Sequence, residues 1–330
     1  MPRERAAAEP VFRPEWPIVD AHHHLWDGHL RGSGLAVEVA VYEAEDFLAD
    51  IAAAGHRVIA SVAVESFAHY GAHGPVGETM HADAAARAHP GICNAIVGWA
   101  DMRGGDALIR LLDAHQAASP RLRGIRHSAA WDADPAVTFA TLAAYSGRDM
   151  MADPAFIAGV RHMGERGLVF ETFITHAQLG EAARLAQAAP DTAIVIDHVG
   201  MPLSLGGYGA RPQAVRATWE SGMAALAQCP NVHIKLGGLT MPTTLPGSEA
   251  NTRTSDGACA AISPWMNPVI ALFGPDRCLF ESNFPVEKRD CDYRTLWNAL
   301  KKIAAGHGDD AARAMLADNA LRLYGIARPS

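Results

Sequence analysis

Five residues near the amino terminus, Asp20-Ala21-His22-His23-His24, bring three imidazoles and a carboxylate together in one short run. Side chains alternate between the two faces of a strand, so we expect Asp20, His22 and His24 on one face and His23 on the other. Two neutral imidazoles on one face can ligate one metal ion, and nitrogen ligands favour zinc among the common divalent ions. The run therefore predicts a metal site or, alternatively, a pair of buried histidines fixed by hydrogen bonds.

Polar side chains also stand at the ends of the other apolar runs of the chain. Burying so many of them without a function is costly, because each then needs a partner or must lose its charge. From these positions we predict two groups of residues. The catalytic candidates are His198, Glu281, Asn283 and Glu65, and the substrate-contact candidates are His127, Trp131, Arg126 and Lys235.

Two further expectations follow from the pattern around these residues. Arg126 precedes His127 directly, so alternation places the two on opposite faces, and we expect His127 to face inward and Arg126 to face away. We expect the remaining histidines, including His69, His81 and His115, to lie mostly on solvated helices or loops.

The elements that position these residues are short β-branched runs alternating with longer helical patterns. Eight runs predict strands: Ile18–His22, Val58–Glu65, Cys93–Asp101, Gly124–His127, Leu168–Phe173, Ala193–His198, Val232–Leu236 and Cys278–Ser282. The segments between and after them predict helices: Glu43–Ala54, Glu78–Ala88, Asp106–Ala117, Pro154–Arg166, Gln178–Ala188, Gln213–Gln228, Pro264–Phe273, Tyr293–Ala304 and Asp309–Tyr324.

Eight such strand–helix units predict an α/β fold, a distorted (β/α)8 barrel, with an open doubly wound sheet as the alternative. Tight Gly- and Pro-containing turns precede most strands, whereas the segments that follow them are longer and carry polar and aromatic residues. This asymmetry places the site at the carboxyl ends of the strands. The first strand is not followed by a glycine-rich phosphate loop, which argues against a dinucleotide-binding fold.

Composition narrows the class of protein. The chain has 330 residues, 49% of them hydrophobic, and a net charge of −8. This predicts one catalytic domain over residues 18–330 after an amino-terminal extension over residues 1–17. The acidic balance argues against nucleic-acid partners, and the lack of a long apolar run or secretory signal argues against a membrane. Five scattered cysteines indicate free thiols and a cytoplasmic location.

Three motifs in order carry a resemblance to a known family. Asp20–Asp27, Ile196–Gly200 and Phe280–Val286 resemble the first-, sixth- and eighth-strand motifs of the amidohydrolase superfamily. The match is to the amidohydrolase-related branch with sugar-lactone and 2-pyrone-4,6-dicarboxylate lactonases, and it spans residues 18 to 324. The resemblance implies the distorted barrel and hydrolysis of a ring ester. It also implies His22 and His24 at the metal or substrate position, with His176 as a candidate for a further ligand.

Two residues depart from that family pattern. No lysine stands at the end of the fourth strand, so the resemblance implies one metal ion and not two. The eighth strand carries Asn283 where the family has an aspartate that activates water, and an amide cannot accept that proton. Glu281 and Glu65 are the carboxylates that can take over as base or ligand.

The hypothesis from the sequence is a lactonase for a small carboxylated or polyhydroxylated metabolite, with one divalent ion, zinc first among the candidates. Some lactonases of this branch work without metal, and the sequence leaves that mechanism open. Two alternatives differ in class: a zinc-dependent non-oxidative decarboxylase, and a ligand-binding barrel without turnover. The expected partner is a small molecule, and the exposed helix faces of a barrel are compatible with a homodimer.

Overall fold

The predicted barrel is confirmed. The computed structural model describes residues 9–27, 41–134, 137, 145–241, 243–244 and 252–328. Its eight strands are parallel and follow one another in chain order around one sheet. They are β1 (Ile18–His23), β2 (Val58–Val64), β3 (Ala95–Trp99), β4 (Leu122–Arg126), β5 (Val169–Thr172), β6 (Ile194–Ile196), β7 (Val232–Leu236) and β8 (Cys278–Phe280).

The sheet closes on itself between its last and first strands. The amide of His24 donates to the carbonyl of Phe284, and the amide of Asn283 donates to the carbonyl of His22. His23 and Phe284 form a parallel bridge at the same place. Because β8 and β1 meet here, the first-strand histidines and the residues after β8 lie side by side.

Helices follow the strands and cover the outside of the barrel. They are α1 (Ala44–Ala54), α2 (Pro75–Ala88), α3 (Asp106–Ala118), α4 (Pro154–Glu165), α5 (Leu179–Ala188), α6 (Pro212–Ala227), α7 (Ser255–Phe273), α8 (Tyr293–Ala305), α9 (Asp309–Arg313) and α10 (Asn319–Leu323). Among the described helices, none combines the length and apolar character needed to cross a bilayer.

Two helix predictions need correction. The helix predicted to begin at Pro264 begins at Ser255 and runs through both Pro264 and Pro268. Its buried side chains, among them Ile262 and Ile270, pack into the core, so tertiary packing outweighs the local cost of proline. The single helix predicted over Asp309–Tyr324 is divided into α9 and α10 by a π-helical turn.

Two apolar layers sandwich the sheet. Inside the barrel, small and branched side chains such as Val62, Val97 and Val195 fill the axis below the strand ends. Outside it, larger side chains such as Phe170 and Trp297 pack between strands and helices. The polar residues at the carboxyl ends of the strands therefore stand on a closed apolar floor.

The described part of the predicted amino-terminal extension, residues 9–17, packs on the barrel. The side chain of Asn298 on α8 donates to the carbonyl of Pro10, and the amide of Phe12 donates to the Asn298 amide oxygen. The Lys301 ammonium donates to the carbonyls of Arg13 and Trp16. The proposed boundary between extension and catalytic domain stays a prediction. All five cysteines are free thiols.

Candidate active site

A β-bulge in β1 determines which first-strand residues face the barrel axis. In the pairing with β2, Asp20 lies opposite Ser61 and His23 lies opposite Ala63, so β1 uses one more residue than β2 over this stretch. The extra residue shifts the alternation of side chains by one position. His22 therefore faces inward, whereas Asp20 and His23 face the helix layer.

The shared face predicted for Asp20, His22 and His24 is thus wrong for Asp20. Its carboxylate accepts hydrogen bonds from the Ser282 amide at 2.9 Å and from the Tyr293 hydroxyl of α8 at 2.8 Å. Burial raises the pKa of Asp20 to about 6 despite these bonds. Asp20 therefore connects β1 to the residues after β8 and to α8, and so helps to position the strand ends from the outer side of the sheet.

The inward pair is His22 and His24. Their Nε2 atoms lie 3.1 Å apart, and both side chains are buried. His24 donates from Nδ1 to the carbonyl of Val64 at 2.9 Å, so a neutral His24 carries a lone pair on Nε2. Burial lowers the pKa of both histidines well below the usual range, and nearby cations reinforce the shift. The pair is therefore neutral, the form that binds metals.

Beside this pair stands a hydrogen-bonded histidine and carboxylate. His198, just after β6, donates from Nδ1 to Oε1 of Glu281, just after β8, at 2.7 Å. The other carboxylate oxygen of Glu281 lies 3.0 Å from Nδ1 of His22. Burial alone would lower the pKa of His198, but the charge and hydrogen bond of Glu281 outweigh burial and raise it.

Two glycines after β7 make room for the pair of His198 and Glu281. A Cβ atom at Gly237 would lie 2.3 Å from Cγ of Glu281, and one at Gly238 would lie 2.4 Å from Cβ of His198. His198 and Asn283 both have a left-handed backbone, with φ of 53°. Such conformations are costly outside glycine and concentrate at functional sites. The loops after β6, β7 and β8 are therefore shaped around this pair.

Lys235, at the end of β7, lies between protein carboxylates. Its ammonium donates to Oε2 of Glu171 at 2.6 Å and lies 3.7 Å from Oδ1 of Asp197 and 3.3 Å from Nδ1 of His22. The side chain is fully buried. Lys235 therefore already has two carboxylate partners, and its predicted contact with a substrate carboxylate stays a prediction.

The expected orientation of Arg126 and His127 is reversed. Arg126 faces the barrel interior and donates from Nε to Oε1 of Glu65 at 2.7 Å, with Nη1 3.3 Å from Oδ2 of Asp197. β4 ends at Arg126 and Ile125 packs into the outer core, so alternation leaves Arg126 inward. Glu65 is a partner of Arg126, and its proton-transfer role stays a prediction.

His127 faces outward and is buried. Its Nδ1 accepts from the amide of Met102 at 3.1 Å, and its Nε2 donates to the carbonyl of Tyr145 at 2.7 Å. Trp131 is half-buried under the guanidinium of Arg148, 4.9 Å from the ring centroid. The substrate roles predicted for His127 and Trp131 stay predictions.

Carboxylates outnumber cations around the first-strand pair. We call these side chains the mouth cluster: His22, His24, Glu65, Arg126, Glu171, Asp197, His198, Lys235 and Glu281. With neutral histidines, the four carboxylates and two cations leave an excess of two negative charges in a buried volume. Burial raises the pKa of Glu65 and of Glu171, although Arg126 and Lys235 oppose the shift. A divalent cation or protonation of histidines would offset this excess.

The donor atoms of the mouth cluster suit a metal ion. Two triads have ligand atoms within 4.8 Å of one another, His22 with His198 and Glu281, and His22 with Glu171 and Asp197. Oε2 of Glu281 and Oδ1 of Asp197 are buried without a hydrogen-bond partner among the described residues. Two imidazoles on one tetrahedral zinc ion, with bonds of about 2.0–2.1 Å, hold their nitrogens about 3.3 Å apart. The 3.1 Å separation in the His22–His24 pair fits that arrangement.

His176 lies apart from these donor sets. It is buried against Tyr208, with ring centroids 4.8 Å apart, and its Nδ1 faces the amide of Leu203 at 3.4 Å. Neither triad of the mouth cluster contains it. Burial lowers the pKa of His176 to about 4. Its assignment as third metal ligand stays a prediction, and the structure does not bring it to His22 and His24 within ligand distance.

Sequence reasoning missed two members of the mouth cluster. Glu171 and Asp197 are the last inward residues of β5 and β6, two positions after Val169 and Val195, which line the barrel interior. That alternation was the signal that could have found them. Tyr324, near the carboxyl terminus, also reaches this cluster and donates to Glu171, a contact across 153 positions.

The expectation of solvated histidines is wrong at three positions. His115 is fully buried, and His69 and His81 are partly buried and stacked on each other. Histidine is intermediate in burial, and helix patterns alone do not show which face a lone imidazole takes. These residues lie outside the mouth cluster.

The chain matches one protein family over most of its length. The sequence model of the amidohydrolase family covers residues 19–326. A Sinorhizobium fredii protein, y4mH, is 32% identical over 322 residues, which are 94% of this chain and 98% of that protein. An L-fucono-1,5-lactonase from Burkholderia ambifaria is 27% identical over 322 residues, 94% of this chain and 97% of the lactonase.

A solved structure shares the fold. The crystal structure of an amidohydrolase from Burkholderia multivorans with bound zinc superposes with a TM-score of 0.73 at 24% identity. The superposition covers 94% of this chain and 99% of that one. The eight-stranded barrel is therefore common to both proteins.

Proposed function

The chain belongs to the amidohydrolase family and is a hydrolase, and from this premise we propose that it opens the ring ester of a lactone. The observation that carries the proposal is the buried His198–Glu281 pair beside the neutral His22–His24 pair. The lactonase of Burkholderia ambifaria supports the same substrate class. The proposed substrate is the lactone of a small carboxylated or polyhydroxylated metabolite.

We infer that His22 and His24 hold a divalent ion through their facing Nε2 atoms, with zinc as the ion that nitrogen ligands favour. When bound, such an ion polarises the ester carbonyl and makes hydroxide available near neutral pH. Oε2 of Glu281 has no hydrogen-bond partner among the described residues and lies 3.0 Å from Nδ1 of His22, across that ring from Nε2, so Glu281 belongs to the donor group of His22 and His198. His176 is the remaining candidate for a further ligand.

In the proposed reaction, His198 handles the proton. Glu281 occupies Nδ1 of His198, so Nε2 is the nitrogen that exchanges a proton with water or substrate. His198 takes a proton from the water whose oxygen adds to the ester carbonyl. As the ring carbon–oxygen bond breaks, the same proton passes to the departing ring oxygen, and the product is the open hydroxy acid.

Asn283 does not take part in proton transfer in this scheme. Its amide has no proton-accepting group, and Nδ2 lies 3.7 Å from the sulfur of Met241. Glu281, two residues earlier, fixes the tautomer of His198 and is the carboxylate we assign in place of the missing aspartate. Asn283 instead links β8 to β1, because its backbone N–H donates to the carbonyl of His22 at 2.9 Å.

The test is a panel of aldonolactones and pyrone carboxylates, with acid release followed by a pH indicator. We expect turnover of at least one lactone and a fall of about 10²–10⁴-fold in kcat for Glu281→Gln, because the general-base pair is lost. His162→Asn is the matched control, since the side chain of His162 is partly exposed and, among the described residues, pairs with Glu165. Unchanged turnover in Glu281→Gln would contradict the assignment.

The same panel separates the alternatives. Release of carbon dioxide from an aromatic or dienoic acid, without ring opening of any lactone, would replace the proposal with decarboxylation. Binding of lactones without turnover would indicate a ligand-binding barrel. Metal analysis of protein purified without chelator, with His22→Asn as the comparison, tests the ion separately. Fully active protein without bound metal would overturn the metal part alone.

A further inference from the structure

A second group of potential metal-ligating side chains shares no residue with the mouth cluster. Glu43, His69 and His81 each offer one ligand atom, and these atoms lie within 4.8 Å of one another. Oε1 of Glu43 lies 3.1 Å from Nε2 of His69, and Oε2 lies 2.7 Å from Nε2 of His81. We call these three residues the rim triad.

The three residues come from three separate elements. Glu43 is the N-cap residue of α1, His69 lies in the loop after β2, and His81 is on α2. Two imidazoles from separate elements that meet on one carboxylate are not produced by helix periodicity. The folded chain therefore assembles the rim triad as a unit.

The geometry of α2 explains how the two imidazoles come together. At Gly77 a Cβ atom would lie 2.5 Å from the carbonyl oxygen of His69, so glycine lets the helix dock directly on the loop. His81 follows Gly77 by one helical turn and shares its face. As a result, the rings of His69 and His81 stack with centroids 3.5 Å apart at an interplanar angle of 8°, and one ring must turn about its Cβ–Cγ bond for both Nε2 lone pairs to meet on one ion.

Two observations indicate that His69 is held ready for a ligand. Its backbone has a left-handed φ of 52°, an unfavourable conformation for a residue with a Cβ. Its Nε2 is buried and makes no hydrogen bond to the described residues, although Glu43 is close. On the opposite side of the ring, a carboxylate oxygen of Asp27 lies 3.8 Å from Nδ1. When Nε2 binds an ion, the ring proton stands on Nδ1, the nitrogen that faces Asp27.

We propose that the rim triad is a second metal site, which binds a zinc-class divalent transition ion through Nε2 of His69, Nε2 of His81 and the Glu43 carboxylate. Two imidazoles and one carboxylate form a donor set typical of zinc and unlike the all-oxygen sets of calcium or magnesium. Since the ligands span α1, α2 and the loop between β2 and α2, the ion fastens that loop to the outside of the barrel.

The experiment is a Zn²⁺ titration of the full-length, chelator-stripped protein by equilibrium dialysis and calorimetry. We expect the wild type to bind one more equivalent of Zn²⁺ than His81→Asn or Glu43→Gln, with affinity at the rim triad weakened at least about 100-fold in each variant. His89→Asn is the matched control, because His89 is the C-cap of α2 and pairs with Glu45 outside the triad.

Co²⁺ provides a second measurement. The visible absorption of bound Co²⁺ should be weaker in His81→Asn and in Glu43→Gln than in the wild type, by the contribution of one bound ion. It should be unchanged in His89→Asn. Equal Zn²⁺ stoichiometry and equal Co²⁺ spectra in all four proteins would overturn the proposal and leave Glu43 as an ordinary ion-pair partner of two histidines.

The rim triad stands independently of the lactonase proposal. In the double variant His22→Asn with His24→Asn, the equivalent of Zn²⁺ lost in His81→Asn should still bind. Loss of that equivalent in the double variant would also contradict an independent rim site. Lactone turnover is not a readout of this experiment, so failure of either proposal can be recognised without reference to the other.

Discussion

Buried histidines on the two faces of the same sheet have different surroundings. On the inner face, His22 lies against Lys235, Glu281 and Arg126. On the outer face, His115 of α3 donates from Nε2 to the carbonyl of Trp99 at 3.0 Å and accepts from the hydroxyl of Thr79 at 2.8 Å. Both residues are fully buried.

Burial lowers the pKa of both His22 and His115, so the shift does not separate a site histidine from a structural one. What separates them is the chemistry of their partners. His115 has two neutral partners that use both ring nitrogens. His22 lies among unequal numbers of charges, and a nearby carboxylate oxygen has no hydrogen bond. A buried imidazole is thus a site candidate when its surroundings are electrostatically incomplete.

Removal of a cation from the inner face of the sheet should have the largest effect on the free energy of unfolding. Lys235→Met leaves the buried carboxylates of Glu171 and Asp197 without their shared ammonium. We expect the free energy of unfolding to fall by about 3–5 kcal/mol, the range for breaking a buried ion pair by removing one partner. Urea unfolding of the wild type and of Lys235→Met, with chelator in all samples, measures this difference in free energy.

The control for that prediction is Lys302→Met. Lys302 pairs with Asp256, which is 89% exposed, and such pairs contribute about 0–1 kcal/mol. If Lys235→Met is as mild as Lys302→Met, the inner face does not depend on charge balance and the comparison fails.

Acid should lower the stability of the protein through His115, which lies on the outer face of the sheet. Burial lowers its pKa from the usual 6.5 to about 4. Between these values the unfolded chain binds a proton that the folded chain does not, so stability is present above pH 6.5 and is lost as pH falls toward 4. The expected loss is up to about 3 kcal/mol for this group.

The measurement is urea unfolding of wild type and His115→Gln at pH 7 and at pH 4.5. Glutamine keeps a donor and an acceptor but does not titrate in this range, so its stability should fall less between the two pH values. His162→Gln should behave as wild type, because His162 is exposed. Parallel pH profiles for wild type and His115→Gln would show that the outer-face histidine does not resist protonation.

The sequence predicted the barrel and named most residues of the mouth cluster, because the strand runs and the polar residues after them are local features. Strand register is not local. The bulge in β1 that places Asp20 and His22 on different faces depends on pairing with β2, and the inward face of Arg126 depends on the packing of Ile125 into the outer core. The charge balance of the mouth cluster depends on Glu171 and Asp197 meeting Lys235 across the axis. Such contacts arise only after closure of the barrel.

Two glycines, one beside each group of histidines, allow the two faces of the sheet to be compared through the addition of a single methyl group. A Cβ atom at Gly237 would lie 2.3 Å from Glu281, and one at Gly98 would lie 3.0 Å from the ring of His115. Displacement of a reacting group by about 1 Å can cost about 10²-fold in rate, whereas overpacking a core costs about 1–3 kcal/mol of stability.

We therefore expect Gly237→Ala to lower kcat for the lactone substrate by about 10²-fold, and Gly98→Ala to lower only the free energy of unfolding, by about 1–3 kcal/mol. Gly91→Ala is the control, because a Cβ atom there meets nothing within 4 Å. Steady-state kinetics of the three variants measures kcat, and urea unfolding measures their free energies of unfolding. If Gly98→Ala lost turnover as strongly as Gly237→Ala at equal folded fraction, His115 would be coupled to the chemistry, and the two faces of the sheet would not differ in function.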